Sequence, residues 1–561
     1  MMTDFHNFKV PYKTNKQFSK RVAYFSMEFG IDQALKIYSG GLGYLAGSHM
    51  RSAFQLKQNL VGIGMLWKYG YYDQVRQGNG FMTDAFIEKH YNFLEDTGIE
   101  FEVKVNNHPV IVKAWYLAPE VFGTAPIFLL STIHPQNDYL AQSISHQLYD
   151  QVSEAKIASG IILGIGGAKL LDILNFNPDI YHLNEAHALS AAFHLYGKSK
   201  DLNVLKKQLV FTTHTPVPAG NEKHNIYLLD KMGFFEEISL EEVRHITKTH
   251  DDTFNHTLAG LRMSGIANGV SKMHGEVARD MWTGNEGICP IIHITNSQNK
   301  LYWADKALDK AADKNDKKAY RKRKRELKKE LFKIVADQTG TIMDPDVLTM
   351  VWARRFAPYK RADLITHDME QFERLVGNTD KPIQIIWAGK PYPKDQNAIA
   401  IFNKLEAISR SYGNCAVLVG YELALSKALK QGSDVWLNTP RVTREASGTS
   451  GMTAAMNGSV NLSTFDGWIP EFAKHGENAF IIPSQDPSTP HYTMDEKDRL
   501  STLEIINREI LPVYYDSPDK WAEIVFNGIK DVTPFFDSDR MATEYYQKLF
   551  SAKGKPHPGS V

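Results

Sequence analysis

The chain has 561 residues, more than one ordinary domain holds, and its 43% hydrophobic and 23% charged residues argue against a disordered protein. Lys plus Arg and Asp plus Glu each total 64, so the formal net charge is zero, which argues against a global basic field for nucleic acid or an anionic membrane. Cys289 and Cys415 are the only cysteines, too few for a disulfide framework or a CxxC zinc site, and no apolar run is long enough to span a bilayer. The opening MMTDFHNFKVPYKTNK has no apolar leader, so the expectation is a cytoplasmic protein.

Short apolar runs predict strands at 22–29, 110–117, 125–131, 179–183 and 209–213, then at 347–353, 383–388, 416–419, 434–437, 460–463 and 480–482. Most are almost continuously apolar, as strands covered on both faces of a parallel sheet are. Amphipathic helices are expected between them, for example over 140–158 and 188–196. The alternation predicts α/β architecture with two sheets. A seam is expected near 296–305, followed by a charged helical region over 305–335 and a second strand series. The cations of 317–333 are read as a solvated helix face, because Leu327, Leu331 and Val335 form an apolar stripe beneath them. The Pro-, Gly- and Lys-containing end, 553–561, is expected to fray.

Five segments could carry chemistry. Ser39-Gly40-Gly41-Leu42-Gly43 precedes a helical run, where exposed N–H groups can hold phosphate. His182–His187 and Thr212–Gly220 each follow a strand, and ligands of open α/β sheets bind at carboxyl ends of strands. A histidine there could bond a sugar hydroxyl or shuttle a proton; the spacing of His187 and His214 gives no support for a metal site. Arg354-Arg355-Phe356-Ala357-Pro358-Tyr359-Lys360-Arg361 places four cations after a strand, and Arg355 with Lys360 could clamp a phosphate. In the last, 445–458, small residues lead into a short helix, and Glu445 could accept from sugar hydroxyls.

Together these segments resemble the glycogen, starch and α-glucan phosphorylase family, in its short bacterial and archaeal form. The matching stretches are AYFSMEFG (23–30), YSGGLGYLAG (38–47), THTPVPAG (213–220), ANGVSKMHGEVARDMW (267–282), ITN (294–296), RRFAPYKR (354–361) and EASGTSGM (445–452), in the family's order. The resemblance implies a GT-B fold, two Rossmann-like domains facing a cleft: an N-terminal glucan-side domain over 1–296, a phosphate and cofactor side over 297–535, and a crossover helix and tail over 536–561. It implies retaining glucosyl transfer between an α-1,4-glucan such as maltodextrin and phosphate, giving α-glucose 1-phosphate. It also implies pyridoxal phosphate (PLP), whose phosphate takes part by proton exchange, and a homodimer.

Carried over by position, Gly40, Gly41 and Leu42 match the loop near the substrate phosphate, and His214 matches the histidine contacting the glucosyl unit. His187, Asn296, Glu445, Ser447 and Gly448 fall on the sugar side. Arg355 and Lys360 match the phosphate-binding pair, Arg354 keeps the charge of a family lysine, and Thr449 matches a residue near the cofactor phosphate. His214, Arg355, Lys360 and Glu445 are the expected catalytic set.

One position departs sharply. The family's PLP lysine follows the Met of its signature, and Thr453 stands there, so covalent attachment at that residue is excluded. Lys390 and Lys474 are distant in sequence. Ser48, Ala186, Asn221 and Ser297 are further departures. Three readings follow: a phosphorylase holding PLP non-covalently or replacing it; a glycogen-synthase-like transferase whose nucleotide-sugar donor uses the PLP space; or an inactive glucan-binding partner. The retained His214, Asn296, Arg355, Lys360 and Glu445 argue against the last.

Overall fold

The computed structural model describes residues 4–551, so the expected fraying of 553–561 lies outside the described residues. Two compact units emerge. One holds the chain through Tyr71, Phe86–Asn296 and the stretch from Ser538 onward; the other holds Tyr72–Ala85 and Ser297–Asp537. Among the described residues no helix is long and apolar enough to cross a membrane.

The first unit is built on nine strands in the order Ile291–His293, Ile266–Gly269, Leu209–Thr212, Ile180–Asn184, Val22–Phe25, Leu60–Met65, Ile127–Ser131, His108–Leu117, Glu95–Val105. The seven from Ile291–His293 to Ile127–Ser131 pair in parallel. The last two are antiparallel, so the expected strand at 110–117 does not share the parallel pairing of the others. Their hairpin turns at Asn106 and Asn107, both at positive φ (51° and 64°), which asparagine tolerates better than most residues. Glu95–Val105 alternates exposed and buried positions, the mark of a strand with one solvated face.

The second unit holds a six-stranded sheet, all parallel, in the order Cys415–Leu418, Ile383–Ala388, Leu348–Ala353, Val435–Asn438, Val460–Thr464, Ala479–Ile482. Helix Lys317–Thr339 lays Leu331, Phe332 and Val335 on Val351, Ile386, Leu418 and Trp436. Burying each such side chain contributes roughly 1.5–3 kcal/mol, which fixes that face of the helix. Three of its cations turn to carboxylates within the unit: Lys317 to Glu523 (2.7 Å), Arg323 to Asp305 (2.8 Å) and Arg325 to Asp346 (2.7 Å). Lys324 and Lys328 are buried, which corrects the reading of the whole cationic run as a solvated face: Lys324 donates to the carbonyls of Gln431, Ser433 and Asn457, and Lys328 pairs with Asp434.

Two further expectations are corrected. The helix anticipated over 140–158 is interrupted: Tyr139–Ser143 and Ser153–Ile161 are separate helices. Between them Tyr149 takes φ of 63°, which a continuing right-handed helix cannot contain. The strand expected over 22–29 ends at Phe25. Ser26 Oγ then donates to the Glu28 carbonyl (2.8 Å), turning the chain toward the glycine-rich helix.

Candidate functional site

In the first unit, helix Gly41–Gln55 begins at an N-terminus with no side-chain cap from Gly40. Glu28 supplies the counter-charge instead. Its carboxylate accepts from the Ser39 N–H (2.6 Å), the Gly40 N–H (3.2 Å) and the Tyr149 hydroxyl (2.7 Å). A carboxylate at a helix N-terminus is favoured by the peptide dipoles. Gly43 is glycine because a Cβ there would meet Glu28 Oε2 at 2.6 Å and Tyr38 Cβ at 2.7 Å. At Gly40 and Gly41 a Cβ would meet nothing within 4 Å, so the backbone there borders open space, as close approach by a ligand requires. Gly40 lends its N–H to Glu28, which leaves Gly41 and Leu42 as the first donors of the turn.

The strand ends Ile180–Asn184 and Leu209–Thr212 carry a polar chain. His214 Nε2 donates to Asn184 Oδ1 (2.7 Å), and Asn184 Nδ2 donates to Ser26 Oγ (3.2 Å). Burial, aided by the neighbouring His274 and His187, pushes the His214 imidazole down to about 3, so it is neutral and a proton-bearing Nε2 fits. Glu185, at φ of 68°, accepts from the His214 backbone N–H and from Thr215 Oγ1 (3.2 Å). Burial raises the Glu185 carboxyl against these bonds. His187 Nδ1 and Asn296 Oδ1 are buried without a hydrogen-bond partner among the described residues. Both are polar atoms with capacity for a ligand.

In the second unit the RRFAPYKR segment leaves strand Leu348–Ala353 and divides its cations between two tasks. Arg361 faces inward: it pairs with Asp495 (2.9 Å) and Asp498 (2.7 Å) and donates to the carbonyls of Thr439 (2.8 Å) and Pro440 (3.1 Å). Lys360, at the end of the turn Pro358–Lys360, meets Glu445 Oε2 at 2.7 Å, and Arg354 Nη1 approaches the same oxygen at 3.4 Å. Arg355 is exposed. Burial raises the Glu445 carboxyl, but Lys360, Arg354 and Arg355 together outweigh it and hold the group below its usual range. Asp466 accepts from the Glu445 backbone N–H (3.0 Å) and fixes its loop. Burial, with the charge of Glu445 beside it, pushes Asp466 up to about 7.

Helix Thr449–Met456 follows Gly448, whose φ of 89° favours glycine. Ser447 Oγ, Ser450 Oγ and Arg354 Nε are buried with no hydrogen-bond partner among the described residues. Hydroxyls, a guanidinium and the first N–H groups of a helix form a donor set suited to a phosphate, so the residues present fit the phosphate end of a pyridoxal phosphate. Thr453 cannot supply the lysine: its hydroxyl donates to the Ser450 carbonyl (3.0 Å).

The structure thus gathers Gly40, Gly41, Leu42, His187, His214 and Asn296 within one unit. Arg354, Arg355, Lys360, Glu445, Ser447, Gly448, Thr449 and Thr453 fall within the other. Sequence reasoning missed Glu28, Asn184, Glu185 and Asp466. Glu28 and Glu185 stood inside recognised segments, but nothing in their spacing marked them as holding backbone N–H groups. Among the described residues no group of three or more His, Cys, Asp or Glu is placed to hold a metal ion.

Residues 262–497 match the family model described as carbohydrate phosphorylase. The chain is 45% identical to an uncharacterized protein of Methanocaldococcus jannaschii, covering 95% of this chain and 100% of the relative. It is 32% identical to a maltodextrin phosphorylase of Thermococcus litoralis, over 94% of this chain and 70% of the relative. It is 28% identical to a glycogen phosphorylase of Aquifex aeolicus, over 96% and 87% respectively.

Proposed function

The chain belongs to the carbohydrate phosphorylase family, and from that premise we propose that it is a retaining α-glucan phosphorylase of GT-B type, converting an α-1,4-glucan end and phosphate to α-glucose 1-phosphate. The observation that carries this reading is the buried Arg354–Lys360–Glu445 cluster beside the open donors of Ser447, Ser450 and Arg354. Two anions are called for there: the substrate phosphate and a second phosphate held close to it. Arg355 and Lys360 serve the substrate phosphate, the guanidinium through its fork and the ammonium as a point charge. Arg354 and Thr449, with Ser450 beside them, hold the second phosphate. When bound, the PLP phosphate supplies proton exchange with the substrate phosphate.

By the family resemblance, Glu445, Ser447 and Gly448 take the role of reading sugar hydroxyls, and His187, His214 and Asn296 are assigned to the sugar on the same ground. A neutral His214 suits this task, since it can donate or accept without carrying a charge into the site. The backbone N–H groups of Gly41 and Leu42 add fixed dipoles for negative charge, which reorganise little as charge develops.

The test is phosphate-dependent release of glucose 1-phosphate from maltodextrin, with and without added PLP. Release is expected with PLP present. No release in either condition would refute phosphorolysis of that glucan, and a nucleotide-sugar donor panel would then separate transfer from binding alone.

A further inference from the structure

Among the described residues at positive φ, Tyr149 (63°) is the one aromatic. That backbone strains a bulky side chain, and glycine or asparagine would hold the same turn with less strain. The neighbouring chain fixes it. The Ser145 and His146 carbonyls accept from the N–H groups of Lys68 (2.9 Å) and Tyr69 (2.8 Å), and the Leu148 N–H donates to the Gly70 carbonyl (2.9 Å). Strain held in this way points to a use for the side chain.

That side chain meets two parts of the candidate site, both in the first unit. Its hydroxyl donates to Glu28 Oε1 (2.7 Å). The other oxygen of the carboxylate, Oε2, accepts from the backbone N–H groups of Ser39 (2.6 Å) and Gly40 (3.2 Å). Glu28 is buried, and without the Tyr149 hydroxyl its Oε1 is left, among the described residues, with the longer bond from Ser39 Oγ (3.3 Å). The Tyr149 ring lies 5.8 Å from that of His187, tilted by 47°, and 6.4 Å from that of Tyr71. Both separations fall within the contact range of ring pairs.

Resting on the phosphorylase reading, we propose that Tyr149 is a positioning residue that sets the glycine-rich loop and His187 in one register. Its hydroxyl aims Glu28 at the N–H groups of Ser39 and Gly40, which leaves those of Gly41 and Leu42 for the substrate phosphate. Its ring braces His187 for the glucosyl unit. Tyr149 acts through Glu28 and His187 rather than on the reacting atoms.

Hydroxyl and ring have separable effects. A loop pinned before binding loses little freedom when an anion arrives. A loosened loop holds the binding geometry for only part of the time, and apparent affinity falls by that fraction. Loss of the hydroxyl therefore weakens phosphate, and loss of the ring weakens the sugar as well. A tyrosine present only to make the turn would be matched by asparagine, which tolerates a left-handed backbone.

The test compares the full wild-type chain with Tyr149→Phe, Tyr149→Asn and Glu28→Gln. In Tyr149→Phe, amide hydrogen exchange read by mass spectrometry over 38–44 should quicken about tenfold. Its KM for phosphate should rise about fivefold or more, while KM for maltodextrin stays within about twofold. Tyr149→Asn should raise both. Adding Tyr149→Phe to Glu28→Gln should raise KM for phosphate no further than Glu28→Gln alone, since the hydroxyl acts through that carboxylate. Should Tyr149→Phe fail to fold, Tyr149→Asn carries the test. Unchanged exchange over 38–44, equal rises of both KM values in Tyr149→Phe, or wild-type kinetics in Tyr149→Asn overturns the proposal and leaves the reaction standing. A wild type that releases no glucose 1-phosphate refutes the reaction instead. Inorganic phosphate slowing exchange over 38–44 in that wild type but not in Tyr149→Phe supports the positioning role, and equal slowing overturns it.

Discussion

The RRFAPYKR segment invites pooling of its cations, and Arg361 is the residue that separates a stability role from a substrate role. Arg361→Met removes a guanidinium that binds Asp495, Asp498 and two carbonyls. Asp495 keeps a partner in Arg441 (2.5 Å). Asp498 is the carboxylate left bare: it is buried, and its Oδ1 has no hydrogen-bond partner among the described residues. Burial already raises the Asp498 carboxyl in the wild type, against the pull of Arg361. Without Arg361 burial acts on that carboxyl unopposed. Holding it protonated in the folded state, against an ordinary Asp pKa of about 3.9 and at about 1.36 kcal/mol per unit, costs about 4 kcal/mol at pH 7 and about 1.5 kcal/mol at pH 5. The first figure falls within the roughly 3–5 kcal/mol lost when one partner of a buried pair is removed. The sign follows from linkage. An acid whose folded pKa is raised binds its proton more tightly in the folded state, so the variant loses stability as pH rises. Thermal unfolding followed by circular dichroism should show a drop of about 8–16 °C at pH 7, at roughly 2–4 °C per kcal/mol, and a smaller gap at pH 5. A shift under about 2 °C at pH 7, with a weakened response to phosphate, would move Arg361 into the substrate site and refute the argument.

Other perturbations separate packing from chemistry in the same way. Gly43→Ala drives a Cβ to 2.6 Å from Glu28 Oε2 and should cost about 1–3 kcal/mol in urea denaturation. Gly40→Ala has open space and an extended φ of −173°, so stability should move by less than about 0.5 kcal/mol while KM for phosphate rises. The two variants behaving alike would contradict the geometry of the loop. Arg355→Ala, at an exposed cation, should raise KM for phosphate by about tenfold or more, a loss of about 1.4 kcal/mol, with Tm unchanged. Unaltered phosphate dependence would remove Arg355 from the site. Asp466, raised from 3.8 to about 7, makes the folded state hold a proton that the unfolded chain has released. Stability should therefore decline as pH rises between those values, and Asp466→Asn should flatten that slope in urea titrations. Equal slopes in wild type and variant would show that another group carries it.

Legibility in the sequence followed the physical signal of each element. Strands of the second sheet read well because burial on both faces leaves continuous apolar runs, as in Ile383–Ala388. Leu60–Met65 lies inside the first sheet and went unread, because Gly62 and Gly64 look like breakers. They are packing requirements: a Cβ at Gly64 would stand 2.7 Å from the Phe29 ring. The hairpin at Asn106 and Asn107 did carry a signal, two asparagines between strand-forming runs. The break at Tyr149 carried none, since no residue near it demands a left-handed backbone. In the site, residues were readable where their type was unusual for a strand end, as with Arg354, Arg355 and Lys360. They were unreadable where a common carboxylate does its work through backbone N–H groups, as with Glu28 and Asp466.

The arrangement of Glu445 shows why a charged site can persist in a stable fold. Lys360 and Arg354 are buried, and a buried cation without a counter-charge is costly. Glu445 supplies that charge, at 2.7 Å from one and 3.4 Å from the other. Asp466 holds the loop of Glu445 from its backbone, and having a carboxyl raised to about 7 it adds little further negative charge at mildly acidic pH. A phosphate reaching Lys360 would take over the role Glu445 plays, and the freed carboxylate could then accept from sugar hydroxyls. The cations so need an anion in either state. Their retention, together with open donors at Ser447 and Ser450, is what the proposed phosphate-handling site requires.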